Sequence, residues 1–296
     1  LALQPPFTQI PRLRIFRTRN IALCAKIKES PAMNRISSST AFVVWTFLFT
    51  FVLVGPAVGQ ELRIETSVYV DEGVEPVSET QTLFDGEMAY HYENQPAQVT
   101  IYRAPGPSRE GQFIILDLDR EQRTDISTKR IGGLMKKLGK WAAEQEDTLL
   151  KFSAQPVFEK SFDEDSGVLT LENPAWNYTV ATVPAENAQA LKRYRDFADW
   201  YSRLNTMLHS TPPPGARLEL NKSLAIHKVV PVEIRRTIQS QDDSLRATHL
   251  FTWRLSREDH QRIDTTRGQL ASFEKVGNAE FIARGKEEAV VRGQSK

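Results

Sequence analysis

The chain is 296 residues long, with 38 Lys+Arg against 37 Asp+Glu, a formal net charge of +1 and a single cysteine. A chain this close to neutral is a poor candidate for sequence-independent nucleic-acid binding, which needs clustered positive charge, and it becomes a poorer one once its basic first 59 residues are set aside. The lone Cys24 excludes an intrachain disulfide and a multi-thiolate metal site.

The first expected element is an address. Met33 to Glu61 reads MNRISSSTAFVVWTFLFTFVLVGPAVGQE, and its apolar run from Ala41 to Val54 is fourteen residues long. That is shorter than the roughly 20 residues of a bilayer-spanning helix and fits the h-region of a secretory signal. Arg35 supplies the positive n-region, Gly55 and Pro56 break the helix, and small residues at Ala57 and Gly59 place the cut before Gln60. An uncleaved anchor is the alternative.

A signal works from the N-terminus, so Met33 is the expected initiator and residues 1–32 a non-translated or non-structural extension. The rival is a transit-like reading of PRLRIFRTRNIALCAKIK, against which Pro5, Pro6 and Pro11 spoil an amphipathic helix. Residues 1–59 carry seven Lys/Arg against Glu29 alone, so their removal takes the formal charge from +1 to −5. The remaining chain has no cysteine, lacks a stable membrane span and is long enough to bury roughly 70% of its unfolded surface. Its expected place is periplasmic or extracellular.

Strands follow. LRIETSVYV puts Leu62, Ile64, Val68 and Val70 on one face, the period of a half-buried antiparallel strand. EPVSETQTLF continues after Gly73. TLFDGEMAYHYENQPAQVTIYR reads as three strands joined by an Asp85-Gly86 turn and a short loop. GQFIILDLDREQRTDIS adds two more across a turn near Asp119-Arg120. A meander without crossovers argues against a parallel nucleotide-binding sheet.

A helix capped by Ser127 or Thr128 carries Ile131, Leu134, Leu138 and Trp141 at helical spacing. A second β group runs AQPVFEKSF, turn DEDSG, VLTLE and WNYTVATV. The strongest helical pattern is AENAQALKRYRDFADWYSRLNTMLHS, with Leu191, Tyr194, Ala198, Tyr201, Leu204 and Leu208 on one stripe, ended by Pro212-Pro213-Pro214. SLAIHKVVPVEIRRTI and LRATHLFTWRLS read as a long hairpin, with Lys228 interrupting an apolar face and snorkelling to water. Ser256 then starts a polar helix, and the tail beyond Gly277 is expected to fray. The domain plan is residues 33–59 as signal, a single domain over 60–276 and a disordered tail over 277–296. The fold class is α+β: a large curled, half-barrel-like antiparallel sheet with two main helices packed on its concave side.

Chemistry-bearing motifs are scarce. His249 lies on the apolar face of its strand; with Ile238 opposite Leu245 it faces Ile234, while His227 points away, so the two cannot share a metal. His91 alternates with Met88, Tyr90 and Tyr92 and is expected to face solvent. Asp117 and Asp119 form an Asp-x-Asp that flanks a turn and sits beside Arg120 and Arg123. There is no nucleophile elbow, phosphate loop or dinucleotide fingerprint. No metal or cofactor is expected, and the chain reads as non-enzymatic; a hydrolase built on Asp117 and Asp119 is the least supported reading.

A meander in which a DG turn leads to aromatic MAYHYE and then to AQVTIY resembles the periplasmic lipoprotein carrier (LolA-like) superfamily, over about Thr82 to Arg103. The resemblance implies a half-open β-barrel closed by helices. The sequence lacks the arginine in the early strands that latches the helical lid in that family: Arg63 is near but lies on the polar side of its strand. The expected function is an exported binding protein holding a lipid or other apolar ligand against Val68, Phe84, Tyr90, Tyr92, Ile101, Phe251 and Trp253. The alternative is an exported structural or protein-interaction domain with no small-molecule ligand.

Overall fold

The computed structural model describes residues 61–71, 73–239 and 243–285, which all belong to one compact unit. The expected signal, its cleavage residues Ala57, Gly59 and Gln60, and the extension before Met33 lie outside the described residues.

The alternating segments pair in sequence order. β1 (Leu62–Val70), β2 (Ser78–Asp85), β3 (Met88–Asn94), β4 (Ala97–Arg103), β5 (Gln112–Asp117) and β6 (Gln122–Ser127) form a continuous antiparallel meander. After α1 (Thr128–Ala143) and the short α2 (Thr148–Ala154), the chain adds β7 (Glu159–Asp163), β8 (Val168–Glu172) and β9 (Trp176–Pro184). Then come α3 (Ala188–His209), α4 (Gly215–Ile226), β10 (Val229–Ile238), β11 (Asp243–Thr252), α5 (Arg257–Ser272) and the two-residue β12 (Glu274–Lys275). All twelve strands join one sheet in the order β12-β6-β5-β4-β3-β2-β1-β11-β10-β9-β8-β7. Only the β12–β6 contact is parallel. The sheet is curled and open, so the α+β expectation stands.

Alternation sorts the side chains onto two faces. On one, Leu62, Ile64, Phe84, Ala89, Tyr102, Phe113 and Ile126 are buried beneath α3, which contributes Ala190, Leu191, Tyr194, Phe197, Ala198 and Leu204. Asn187 starts α3 by accepting hydrogen bonds from the amides of Gln189 and Ala190. Phe197 meets Phe84 edge-on at 5.7 Å. Further along this face, α4 sets Ala216, Leu220 and Leu224 against Leu169, Leu171, Tyr178, Val180 and Ile234. The backbone approach of α2 to α4 demands a glycine: a Cβ on Gly215 would sit 2.4 Å from the Ser153 carbonyl oxygen.

The other face is covered by α5. Its Ile263, with Leu255 just before it, buries Leu83, Tyr90, Tyr92, Val99, Ile101, Ile114 and Leu116. Ser256 and Asp259 close a reciprocal capping box at its start. Arg63 reaches the buried Asp259 carboxylate at 3.4 Å. The arginine on the polar side of β1 therefore anchors a helix on the face opposite α3.

Several expectations are corrected. Residues 215–226, partly read as the start of a strand, are helix α4. His227 caps that helix and stacks on Phe162 at 4.2 Å, and Lys228 is an exposed left-handed residue (φ 57°) before β10. Helix α2 was not anticipated. On α1 only Ile131 of the predicted stripe is buried, while Leu134 and Trp141 are 40% and 48% exposed. The β10–β11 register pairs Ile238 with Asp243 and Ile234 with Ala247, two residues from the expected pairing. Parity survives, so His249 stays on the α3 face. The tail does not fray at Gly277: residues 278–285 are helical, and Phe281 packs against the core under α3. Residues 286–296 lie outside the described residues.

Candidate functional site

The site follows from what lies between the two halves of the helical layer. The clusters under α3 and α4 share one sheet face yet do not merge. Where they would meet, the sheet presents small or short side chains: Thr66 and Val68 of β1, Ser78 and Thr80 of β2, and Ala247 of β11. Helices packed on such residues leave space, because no large side chain reaches across. The result is two adjoining pockets of about 420 and 470 Å³, the two lobes of the site. Both share Val68, Ser202, Asn205, Arg217 and Ala247 as wall. Each lobe falls in the roughly 300–1,000 Å³ range of ligand sites.

The two lobes differ in character. The second is lined by Trp176, Tyr178, Ile234, Ile238, Leu245 and the proline run after α3. Arg236 lies over the Trp176 ring at 5.7 Å. The first lobe holds a polar cluster. Tyr201 donates a hydrogen bond to Glu93 Oε1 at 3.0 Å, and Gln98 donates to Glu93 Oε2 at 3.1 Å. His91 Nδ1 lies 2.8 Å from the Thr82 hydroxyl, and its Nε2 lies 3.6 Å from Glu93. Burial pushes the Glu93 carboxyl up, but His91 and the Tyr201 hydroxyl more than offset this and hold it below the usual carboxylate range. Burial, with the neighbouring Glu93 charge, pushes the Tyr201 phenol well above its ordinary value, so it stays a donor.

Arg217 lines both lobes, and His249 lines the first. Thr66 Oγ1 lies 2.9 Å from His249 Nδ1, and the buried Nε2 has no hydrogen-bond partner among the described residues. Burial pushes the imidazole down to about 3, and the Arg217 guanidinium adds to the shift. His249 is therefore neutral at ordinary pH. Arg217 donates from Nε to Asn221 Oδ1 at 3.1 Å, and Asn221 donates in turn to Asp199 at 2.8 Å. Among the described residues Arg217 has no carboxylate partner of its own.

The seven residues expected to line one cavity are divided by the sheet. Val68, Phe84 and Phe251 lie on the α3 face, and Trp253 stacks on Phe251 at 6.1 Å beside the same core. Of these only Val68 lines the cavity. Tyr90, Tyr92 and Ile101 are buried on the opposite face beneath α5. The cause is the turn: only Gly86 and Glu87 separate paired Asp85 and Met88, so Phe84 sits opposite Ala89 and shares its face with His91. His91, expected to face solvent, is only 6% exposed and belongs to the first lobe. Arg217 and Asn205 were missed because their helical positions carry no motif; their only signal was a charged residue and an amide on helices that cover a sheet.

On the opposite face a more open cleft of about 530 Å³ runs between Glu65, Glu79, Tyr92, Leu250 and Arg262. Arg262 is engaged there, over the Tyr92 ring at 3.9 Å and with Gln81 at 2.7 Å. Asp117 accepts from the amides of Asp119 and Arg120 and pairs with the Arg120 side chain, which makes it a turn residue. No group of three or more His, Cys, Asp or Glu side chains is placed to hold a metal among the described residues. No described helix is long and apolar enough to cross a membrane. No family model matches the sequence, and no curated protein shows significant similarity to it.

Proposed function

We propose that the chain is an exported, non-enzymatic binding protein that holds a lipid or other apolar ligand between the sheet and the α3–α4 layer, in the manner of a LolA-like half-barrel. The observation that carries this reading is the two-lobed cavity along Val68 and Ala247, in a layer that is otherwise closely packed. An apolar wall with a few convergent polar groups is the usual composition of a small-molecule site. Export rests on the segment Met33 to Gln60 alone.

The test is native mass spectrometry with lipid extraction on the full chain recovered after export. A co-purifying acyl compound is expected, and Ala247→Phe, which fills the wall common to both lobes, should release it without lowering the melting temperature by more than a few degrees. A ligand-free mass, with no thermal shift from fatty acids or detergents, would replace this reading with that of a protein-interaction domain. N-terminal sequencing of the same material should begin at Gln60.

A further inference from the structure

The cavity wall carries both signs of charge: Glu93 is held by His91, Tyr201 and Gln98, while Arg217 has no carboxylate partner of its own among the described residues. A guanidinium beside an apolar space is costly unless something neutralises it. Arg217 donates its Nε to the neutral Asn221 and also meets the Tyr194 hydroxyl, while the nearby Asp199 is shared by the Asn221 amide and Arg195. The fork of five donors on arginine leaves several for a ligand. On the facing strand, His249 Nε2 is buried, unpartnered among the described residues and part of the same wall. Orphaned buried ring nitrogens are uncommon because each forfeits its hydration. When the Thr66 hydroxyl donates to Nδ1, Nε2 carries the proton and is itself a donor. Arg236, the other cation of the wall, lies over the Trp176 ring, so the pair left to face a ligand is the Arg217 cation and one neutral donor, which suits a compact monoanion. Beyond them the second lobe offers Ile234, Leu245 and Ile238 as apolar walls.

We propose that the cavity is built for a long-chain carboxylic acid, with its carboxylate held by Arg217 and His249 Nε2 and its chain running along Val68 and Ala247 into the second lobe. This rests on the binding reading above and names the ligand class for it. A carboxylate takes paired donors from arginine with good geometry, while the tail supplies the apolar burial.

The experiment titrates the full chain with palmitate and with hexadecanol, which has the same chain length and no charge. Palmitate should bind at least roughly ten-fold more tightly, as expected for one charge-assisted hydrogen-bonded contact. Arg217→Met should weaken palmitate by roughly ten- to a hundred-fold and hexadecanol far less, and a retained cooperative melting transition shows that the variant is folded. Arg217→Lys should keep part of the preference. Equal binding of the two ligands, untouched by Arg217→Met, overturns the carboxylate assignment and leaves the binding reading intact. Failure of both ligands to bind the wild-type chain overturns the binding reading itself. Hexadecyl phosphate binding much more tightly than palmitate assigns the site to a phosphate and overturns the inference. If Arg217→Met loses hexadecanol as well, His249→Gln decides: a loss confined to palmitate supports the inference, and an equal loss in both ligands overturns it.

Discussion

His249 shows how one side chain ties packing to a measurable property. Its imidazole ring titrates near 6.5 in an unfolded chain, and burial pushes it down to about 3 in the folded protein. Between those values the unfolded chain takes up a proton that the folded chain refuses. Stability contributed by the neutral ring is therefore complete above about pH 6.5 and is lost as the pH falls towards 3. At pH 5 the loss is about 2 kcal/mol. His249→Gln removes the proton-binding group, so its stability should fall about 2 kcal/mol less than wild type between pH 7 and pH 5 in urea denaturation. Carboxylates such as Glu93, also held low, act in the same direction at lower pH and cancel in the comparison. Equal slopes for the two proteins would remove His249 from the account. The sequence already places this residue on an apolar strand face. It could not show that Nδ1 finds Thr66, because that pairing needs β1 beside β11, residues 183 apart in sequence.

At the level of elements, α5 is the informative case. Its composition is polar, yet Ile263 is fully buried and Asp259 is 3% exposed, holding both the capping box and Arg63. Ile263→Ala should cost about 2–5 kcal/mol, the usual range for a buried isoleucine truncated to alanine. Asp259→Ala should cost about 1–3 kcal/mol by losing the cap and leaving the half-buried Arg63 with Glu65 as its remaining acidic partner. Chemical denaturation measures both, and a change below about 0.5 kcal/mol in either variant, the size of an ordinary surface substitution, would show that α5 lies loosely on the sheet. The meander was legible because strict alternation and the two-residue turns are local signals. The face assignment was not, since one residue of turn length flips every later side chain. Helix α4 escaped because Ala216, Leu218 and Leu220 alternate like a strand, and the helical spacing Ala216, Leu220, Leu224 emerges only when its partners in β8–β10 are known.

The strands of the described residues form one open sheet, and an open sheet must protect two edges. At one edge, β7 reads EKSFD, with Glu159, Lys160 and Ser161 exposed; charge there discourages pairing with another chain. At the other, the chain protects itself by returning. After α5 has crossed the opposite face, β12 adds two residues in parallel beside β6, and the Val276 amide donates to the Arg123 carbonyl. The Thr124 hydroxyl contacts the Val276 carbonyl at 3.2 Å and Asn278 Oδ1 at 2.7 Å. Phe281 then inserts against the core beneath α3, on the face that α5 does not cover. The segment after Phe273 thus wraps the β6 edge and ties the two faces together. A chain ending at Phe273 should bare the backbone of Gln122 to Thr124 and the apolar surface beneath Phe281. It should melt several degrees lower and associate with rising concentration in light scattering. Phe281→Ala in the full chain should lower stability with no such association, because β12 still caps the edge. A truncated protein that stays monomeric and melts with the wild type would mean that the β6 edge is protected by its own Arg123 and Asp125, whose ion pair at 3.2 Å lies on the face carrying α5.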